Sequence, residues 1–335
     1  MWNLKLSSFI FIPTLVVGIF MMLSAHDWMS IWIGMEINMY AFIPMMYSSS
    51  SSKTQEATTK YFLIQAFGSG LFLLGTFSTF FSNNYTIIIF MALMLKAGIA
   101  PMHFWYPSVM NVLPWWPCLM LTTLQKLGPL FLIIQALHNH PLMMNIISGT
   151  SAIVGAVGGL NQTQLRAILA YSSIGHMGWI LAATQMNNLV AKIYFLLYVT
   201  TISSIMLIMI KSQMISNNQP MSQVDQSPFS KLSLMALLLS LGGVPPMLGF
   251  FPKLMVITTL CSQNYMSLPI ILIISSMLNM YYYLKIFYSS FFSNNSKSLM
   301  NSTWFTYSYI SLPIFSMMTT ASIFGIILTL PLLMY

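Results

Sequence analysis

Acidic side chains are nearly missing: four Asp and Glu stand among 335 residues, against 12 Lys and Arg. Charged residues of both signs make up 5% of the chain, where a soluble domain carries about 25%. So few charges cannot clothe a water-facing surface of this size. A soluble enzyme, a disordered chain and a nucleic-acid binder are thereby excluded. The formal charge of +8 reflects scarce acids and not a basic patch. Cysteine is equally scarce. Cys118 and Cys261 are single thiols in apolar runs, with no CxxC and no Cys/His cluster, which argues against a disulfide framework or a metal site. A GxGxxG after a strand, a P-loop, HExxH and paired His ligands for haem are absent too. No redox centre or nucleotide site is legible.

What the chain has instead is apolar length. Hydrophobic residues make up 57% and the mean hydropathy is +0.78, so most of the chain belongs in lipid. A bilayer core of about 30 Å needs about 20 apolar residues per helix. Eleven such runs emerge, at roughly 3–24, 26–47, 57–81, 85–107, 115–137, 142–160, 165–186, 189–211, 232–262, 268–291 and 311–334. The clearest linkers, 48–56, 212–230 and 292–309, are rich in Ser, Asn and Gln. Other connections are short, so consecutive spans are antiparallel neighbours. The fifth span follows Pro114 and is expected to be interrupted at Gly128-Pro129. The first span reads as a retained helix and not a cleaved signal, because no small-residue cleavage site follows it and a second span begins at once.

Orientation follows from Lys and Arg at the span ends. With eleven spans the termini lie on opposite sides. The N-terminal side collects Lys5, Lys53, Lys60, Arg166, Lys211, Lys231, Lys285 and Lys297, and the other side holds Lys192. This bias puts the N-terminus in the compartment of synthesis.

Three basic residues belong to neither side: Lys96, Lys126 and Lys253. Glu36 joins them. Glu36, Lys96 and Lys126 each fall about ten to twelve residues into a span, at the depth of the bilayer middle. Each central Lys costs roughly 2.5–3.5 kcal/mol on insertion scales, and such residues default to ion or proton pathways. The plainer explanation is an ion pair that fixes helix packing, for instance Glu36 with Lys96. Counting opposes it, since one carboxylate cannot neutralise three ammonium groups. Burial disfavours a charged amine and a nearby carboxylate favours it, so lysines sharing one carboxylate can take up and release protons.

Two spans carry helix breakers at depth. The fourth reads Lys96-Ala97-Gly98-Ile99-Ala100-Pro101, and the ninth Leu241-Gly242-Gly243-Val244-Pro245-Pro246 before Lys253. Pro removes an amide donor and clashes with the preceding turn. Freed backbone groups at membrane depth are tolerated only inside protein or beside a hydrated cavity. A simple packing kink is the alternative. The two broken spans lie five apart, which divides the first ten into two five-helix halves. Five is odd, so the halves insert in opposite senses, and paired broken helices in inverted repeats point to a transport site. No strong residue-level identity between the halves is evident; the repeat rests on placement. The expected fold is therefore an all-α polytopic membrane protein. It forms a single transmembrane domain, 1–335, with repeats at 1–137 and 142–291 and a last helix at 311–334. Mid-span His176 is a relay candidate, since His titrates near neutrality, or a hydrogen-bonded packing residue. Tyr171, Ser172 and Gln125 are similarly placed. His103 is a weaker candidate near a helix end, and His138 and His140 fall in a short loop.

These residues resemble one family. Gly34-Met35-Glu36-Ile37-Asn38, Lys53-Thr54-Gln55-Glu56-Ala57-Thr58-Thr59-Lys60 and Leu95-Lys96-Ala97-Gly98-Ile99-Ala100-Pro101-Met102-His103-Phe104-Trp105 carry the resemblance. Gln125-Lys126-Leu127-Gly128-Pro129, Gly158-Gly159-Leu160-Asn161-Gln162-Thr163-Gln164-Leu165-Arg166 and Leu241-Gly242-Gly243-Val244-Pro245-Pro246 continue it. In order and spread over nearly the whole chain, they resemble the antiporter-like subunit 2 family of mitochondrial NADH:ubiquinone oxidoreductase (complex I). The resemblance implies eleven helices, with the family's key glutamate at Glu36. It puts the lysine of the first broken helix at Lys96, the central lysine at Lys126 and the exit-side lysine at Lys253. It implies a multi-pass protein of the mitochondrial inner membrane, made inside the organelle, with its N-terminus in the matrix and its C-terminus toward the intermembrane space. The 31 Met residues fit animal mitochondrial codon usage. Partners would be other membrane-arm subunits, neighbouring antiporter-like ones included, and membrane lipids. FMN, iron–sulfur clusters and ubiquinone would sit on other subunits, with no cofactor or metal in this chain. Two positions depart from the family pattern: Ala167 stands where relatives often have Lys, and Ser108 where many have Glu.

The expected function is proton translocation from matrix to intermembrane space, coupled to electron transfer from NADH to ubiquinone elsewhere in the complex. Glu36, Lys96, Lys126 and Lys253 would form the relay, with His176 a possible member. A stand-alone cation/proton antiporter and a structural membrane-arm subunit without its own proton path are the alternatives.

Overall fold

Long apolar runs leave the backbone no partner but itself, and in lipid a helix satisfies every amide within one segment. The computed structural model describes residues 6–47, 51–78, 86–136, 141–185, 187–211, 228–245, 247–263 and 266–292, and every regular element among them is helical. In order these are α1 (Leu6–Ser24), α2 (Trp28–Met46), α3 (Ser52–Ser78), α4 (Thr86–Ala97), α5 (Trp105–Val112), α6 (Trp115–Thr122) and α7 (Leu124–Ala136). They continue as α8 (Pro141–Leu160), α9 (Leu165–Thr184), α10 (Asn188–Lys211), α11 (Pro228–Gly242), α12 (Phe250–Ser262) and α13 (Ser267–Phe292). Six stretches are long and apolar enough to cross a membrane, and shorter apolar helices lie at Ile10–Ser24, Ile87–Ala97, Ser233–Gly242 and Phe250–Ser262. The eleventh expected span, 311–334, lies outside the described residues, as do Lys5, Lys297, His138 and His140.

Three expected spans are each split in two. The fourth and ninth part where the breakers stand, between α4 and α5 and between α11 and α12. The fifth parts elsewhere than at Gly128-Pro129: α7 runs through Pro129, and the chain leaves helical geometry at Thr123, with φ −114° and ψ −77°. Pro129 removes the donor to the Gln125 carbonyl four residues before it, so the break at Thr123, six residues before it, lies outside the turn that the proline disturbs. Thr122 and Thr123 donate their hydroxyls to the carbonyl of Leu119, at 3.0 and 2.7 Å, which also accepts the Thr123 amide at 3.1 Å.

α9 is the post around which the rest is arranged. From Arg166 to Thr184 every residue but Tyr171 is buried. A helix apolar all round belongs in a core. α9 packs against α8, α10, α5, α12 and α13, whereas α3, α8 and α13 keep most of their surface outward. Among the expected surface cations, Lys53, Lys60, Lys192 and Lys285 are exposed, and Lys60 pairs with Glu56 at 2.5 Å. Arg166 is instead buried, its guanidinium 4.8 Å from the Trp115 ring centroid.

Small residues set the closest approach. A Cβ on Gly155 of α8 would stand 2.5 Å from the amide nitrogen of Gly175 and 2.7 Å from the carbonyl oxygen of Tyr171, both on the α9 backbone. Close helix approach through small residues is the usual means of packing where lipid removes the hydrophobic drive. Gly155→Ala must push α8 off α9 and is expected to cost about 1–3 kcal/mol. Gly70→Ala, at a position with open space around it, is the control. A lower thermal midpoint of the detergent-solubilised protein for Gly155→Ala alone is the expected outcome.

Candidate functional site

Each of the three helix breaks carries one of the buried lysines, and the first and third breaks are built alike. α4 ends in a left-handed glycine, Gly98 at φ +68°. The amide of Gly98 donates to the Leu95 carbonyl at 3.3 Å, and the amide of Ile99 to the Met94 carbonyl at 3.0 Å. α11 ends in Gly243 at φ +83°, with Gly243 donating to Ser240 at 3.0 Å and Val244 to Leu239 at 3.3 Å. Both are Schellman motifs with the same pair of bonds. Once the two glycines are set in register, the flanking residues follow: Ile99 on Val244, Pro101 on Pro246, Met102 on Met247 and Pro107 on Pro252. This match between the halves escapes a reading that looks for paired charges, because it lies in glycine, proline and methionine. In that register Lys253 falls on Ser108, and Lys96 on Leu241.

The two lysines stand on opposite sides of their breaks. A helix end leaves four carbonyls without intrahelical partners and carries partial negative charge. Lys96 lies in the last turn of α4, buried, with its stem against Gly68 of α3. Beside it the indole of Trp105 donates to the Leu95 carbonyl at 3.0 Å, and Gln65 to the Lys96 carbonyl at 3.3 Å. Lys253 stands on the far side of its break, in the first turn of α12, and reaches back. Its ammonium donates to the carbonyls of Gly242, at 2.5 Å, and Leu241, at 3.5 Å, at the end of α11.

Lys126 belongs to the second break, in the first turn of α7. It is 2% exposed, and its ammonium donates to the Ser173 hydroxyl of α9 at 3.1 Å and sits 4.3 Å from the Tyr106 ring centroid. Ser173 in turn donates to the Ala170 carbonyl at 2.7 Å. Its one proton is thus committed to the helix, so Ser173 holds the lysine and does not hand the proton on. One turn further along α9, His176 pairs through Nδ1 with the Tyr194 hydroxyl at 3.0 Å and packs on the Tyr198 ring. His176 lies within electrostatic reach of both Lys126 and Lys253, and close to the Leu241 carbonyl that Lys253 also contacts.

Glu36 is half-buried on α2 and acts electrostatically on Lys96, but no ion pair within 4.0 Å joins them. The packing-pair alternative therefore lacks its bond. His103 is buried apart from the lysines, against its own Pro101 carbonyl at 3.2 Å and the Phe104 ring. Tyr171 packs toward Gly158 of α8. Among the described residues no group of three His, Cys, Asp or Glu is placed to hold a metal ion.

A side chain at Gly243 is doubly opposed. The backbone there is left-handed, which costs an L-residue about 1–2 kcal/mol, and a Cβ would stand 2.8 Å from the Lys253 Nζ. Gly243→Ala is expected to lower stability by about that amount. It is also expected to move the ammonium off the Gly242 carbonyl; an unmoved Lys253 in a structure of the variant would refute this.

Comparison with known proteins agrees with this architecture. Residues 25–279 match the family described as NADH:quinone oxidoreductase/Mrp antiporter, TM. NADH-ubiquinone oxidoreductase chain 2 of Aedes aegypti is 39% identical over 337 residues, 97% of each chain. The chain 2 protein of Lumbricus terrestris is 40% identical over 83% of this chain and 84% of its own. Among solved structures, a chain of respiratory complex I from Thermus thermophilus with bound aureothin superposes with a TM-score of 0.84 at 20% identity, covering 98% of this chain and 80% of that one. A chain of the Mrp complex from a Dietzia species gives a TM-score of 0.77 at 16% identity, over 83% of this chain and 59% of that one. The chain belongs to the NADH-ubiquinone oxidoreductase chain 2 family.

Proposed function

We propose that this chain translocates protons as a core membrane subunit of respiratory NADH:ubiquinone oxidoreductase, from matrix to intermembrane space across the mitochondrial inner membrane. The observation that carries the reading is the arrangement of Lys96, Lys126 and Lys253, each buried at a helix break, with Glu36 at one end and His176 between the last two. A membrane-buried ammonium without a carboxylate partner has little reason to exist unless its charge changes during work. Eleven helices, two inverted five-helix repeats and a matrix-side N-terminus complete the proposal. The matched Schellman ends support the repeat, and the segregation of surface lysines supports the orientation.

In this reading Glu36 approaches and leaves Lys96, and so alters its hold on a proton. Lys126 takes the proton laterally, through water and His176, to Lys253, which serves the other half-channel. Quinone reduction on other subunits supplies the drive. Neighbouring antiporter-like subunits and lipid are the partners. The fold likeness to the Mrp complex supports a second reading, cation/proton exchange by the chain alone, which predicts activity on reconstitution by itself.

Lys126→Met keeps the length of the side chain and removes its charge. In sealed vesicles bearing the assembled complex, it is expected to abolish most of the protons moved per NADH oxidised. Unimpaired stoichiometry in that variant would sink the relay assignment.

A further inference from the structure

Four uncharged residues on four helices are joined beside the relay, and the network reaches a backbone carbonyl of a fifth. The Tyr61 hydroxyl of α3 donates to Gln125 Oε1 of α7 at 3.1 Å. Gln125 Nε2 donates to Asn38 Oδ1 of α2, also at 3.1 Å. The Tyr61 ring meets the Trp105 ring of α5 edge to face, centroids 5.8 Å apart, and the Trp105 indole caps the Leu95 carbonyl of α4 at 3.0 Å.

The anchors of this network are chain neighbours of the ionisable groups. Asn38 follows Glu36 by two residues, Gln125 immediately precedes Lys126, and Leu95 immediately precedes Lys96. On a helix, successive side chains leave the axis about 100° apart. Gln125 and Lys126 therefore point to different faces of α7, the amide toward α2 and α3 and the ammonium toward Ser173 of α9. Asn38 and Glu36 diverge by about 200° on α2. The network thus holds the backbones that carry the charges, and its bonds do not run to the charged side chains themselves.

We infer that Asn38, Gln125, Tyr61 and Trp105 form a frame that fixes the spacing of Glu36, Lys96 and Lys126, and that the frame carries position and not protons. The inference rests on the relay reading above. A carboxamide presents a donor at one end and an acceptor at the other, and Gln125 uses both on neutral partners. Passing a proton through it would require the amide to tautomerise, and the indole of Trp105 donates only. Coulomb coupling between charges varies as the inverse of their separation, so a frame relaxed by an ångström or two changes how strongly Glu36 acts on the lysines. These are positioning residues, acting through the ionisable neighbours they hold.

The test uses the assembled complex in sealed vesicles. Gln125→Met and Asn38→Leu keep side-chain volume and remove the amides, singly and together. Three quantities are measured: the pH profile of NADH:ubiquinone turnover, protons moved per NADH, and NADH oxidation by a soluble acceptor that bypasses the membrane. Each single variant is expected to shift the pH profile, by about half a unit or more, in the same direction, with fewer protons moved and the bypass rate unchanged. The double variant is expected to do no more than the stronger single one, as neighbours in one network do. Unshifted profiles, or effects that simply add, overturn the inference. If Gln125→Met does not accumulate, Tyr61→Phe removes one hydroxyl alone and must shift the profile the same way; a wild-type profile there overturns it equally. Lys126→Met in the same preparations separates the two failures. Full pumping in Lys126→Met removes the relay reading and the frame with it. Loss of pumping there, beside wild-type profiles in the frame variants, removes the frame alone.

Discussion

An ammonium group in a medium without water must find dipoles to replace its hydration, and a continuous helix offers it none, because every carbonyl is already used. Breaking the helix is what makes room for the charge. Among the described residues, the three interruptions and the three buried lysines are one solution seen from two sides. At the ends of α4 and α11 the Schellman turn takes up the carbonyls of Met94, Leu95, Leu239 and Ser240, and at α11 it leaves those of Leu241 and Gly242 to another donor. Lys96 lies in one such end, and Lys253 binds the other directly. At the second break the dipoles come from elsewhere. Ser173 supplies an oxygen and Tyr106 the negative face of its ring, a cation–π contact made stronger by burial.

Much of this was legible from the residues alone. Long apolar runs mark the spans, and Gly-Pro clusters beside Lys96 and Lys253 locate two of the three breaks. The third is misplaced: α7 runs through Gly128-Pro129, and the geometry fails at Thr123, six residues before the proline. Sequence can show that a proline strains a helix, but where the chain leaves helical geometry depends on the packing of its neighbours. The match between halves goes unread for a different reason. Its identities are backbone-shaping residues, while the buried lysines stand at non-equivalent positions. Asn38 and Tyr61 carry no local signal of their roles. Their links through Gln125 run to residues 87 and 64 positions away, and only the packing of α2, α3 and α7 creates them.

α9 ties the parts together. It is buried nearly from end to end, yet it presents Ser172, Ser173 and His176 within about one turn. Both serines return their protons to the helix, to Leu169 and Ala170, so they serve the site as acceptors. His176 differs: its ring pairs through Nδ1 with the Tyr194 hydroxyl and lies within electrostatic reach of Lys126 and Lys253. On this helix only His176 combines that position with the chemistry to change protonation state.

The two Schellman breaks, alike in backbone, differ in what a motion would do to their lysines. Lys96 rides on α4 itself, with its stem against Gly68 of α3, so parting α4 from α5 carries the lysine along with its helix and withdraws the Trp105 indole from Leu95. Lys253 rides on α12 and binds carbonyls of α11, so parting those halves draws the ammonium away from its dipoles. The first break responds to movement by losing a neutral cap, and the second by stranding a charge. A stranded ammonium in a dry interior must be rehydrated or give up its proton. Under the proposed relay, the exit-side lysine is therefore the one whose proton would be coupled most directly to opening of its own helix, while Lys96 would answer to Glu36. In the proposed two-repeat reading, like backbone turns support unlike tasks, and the placement of one lysine across its break, where the other repeat has Ser108, is the residue-level difference between them.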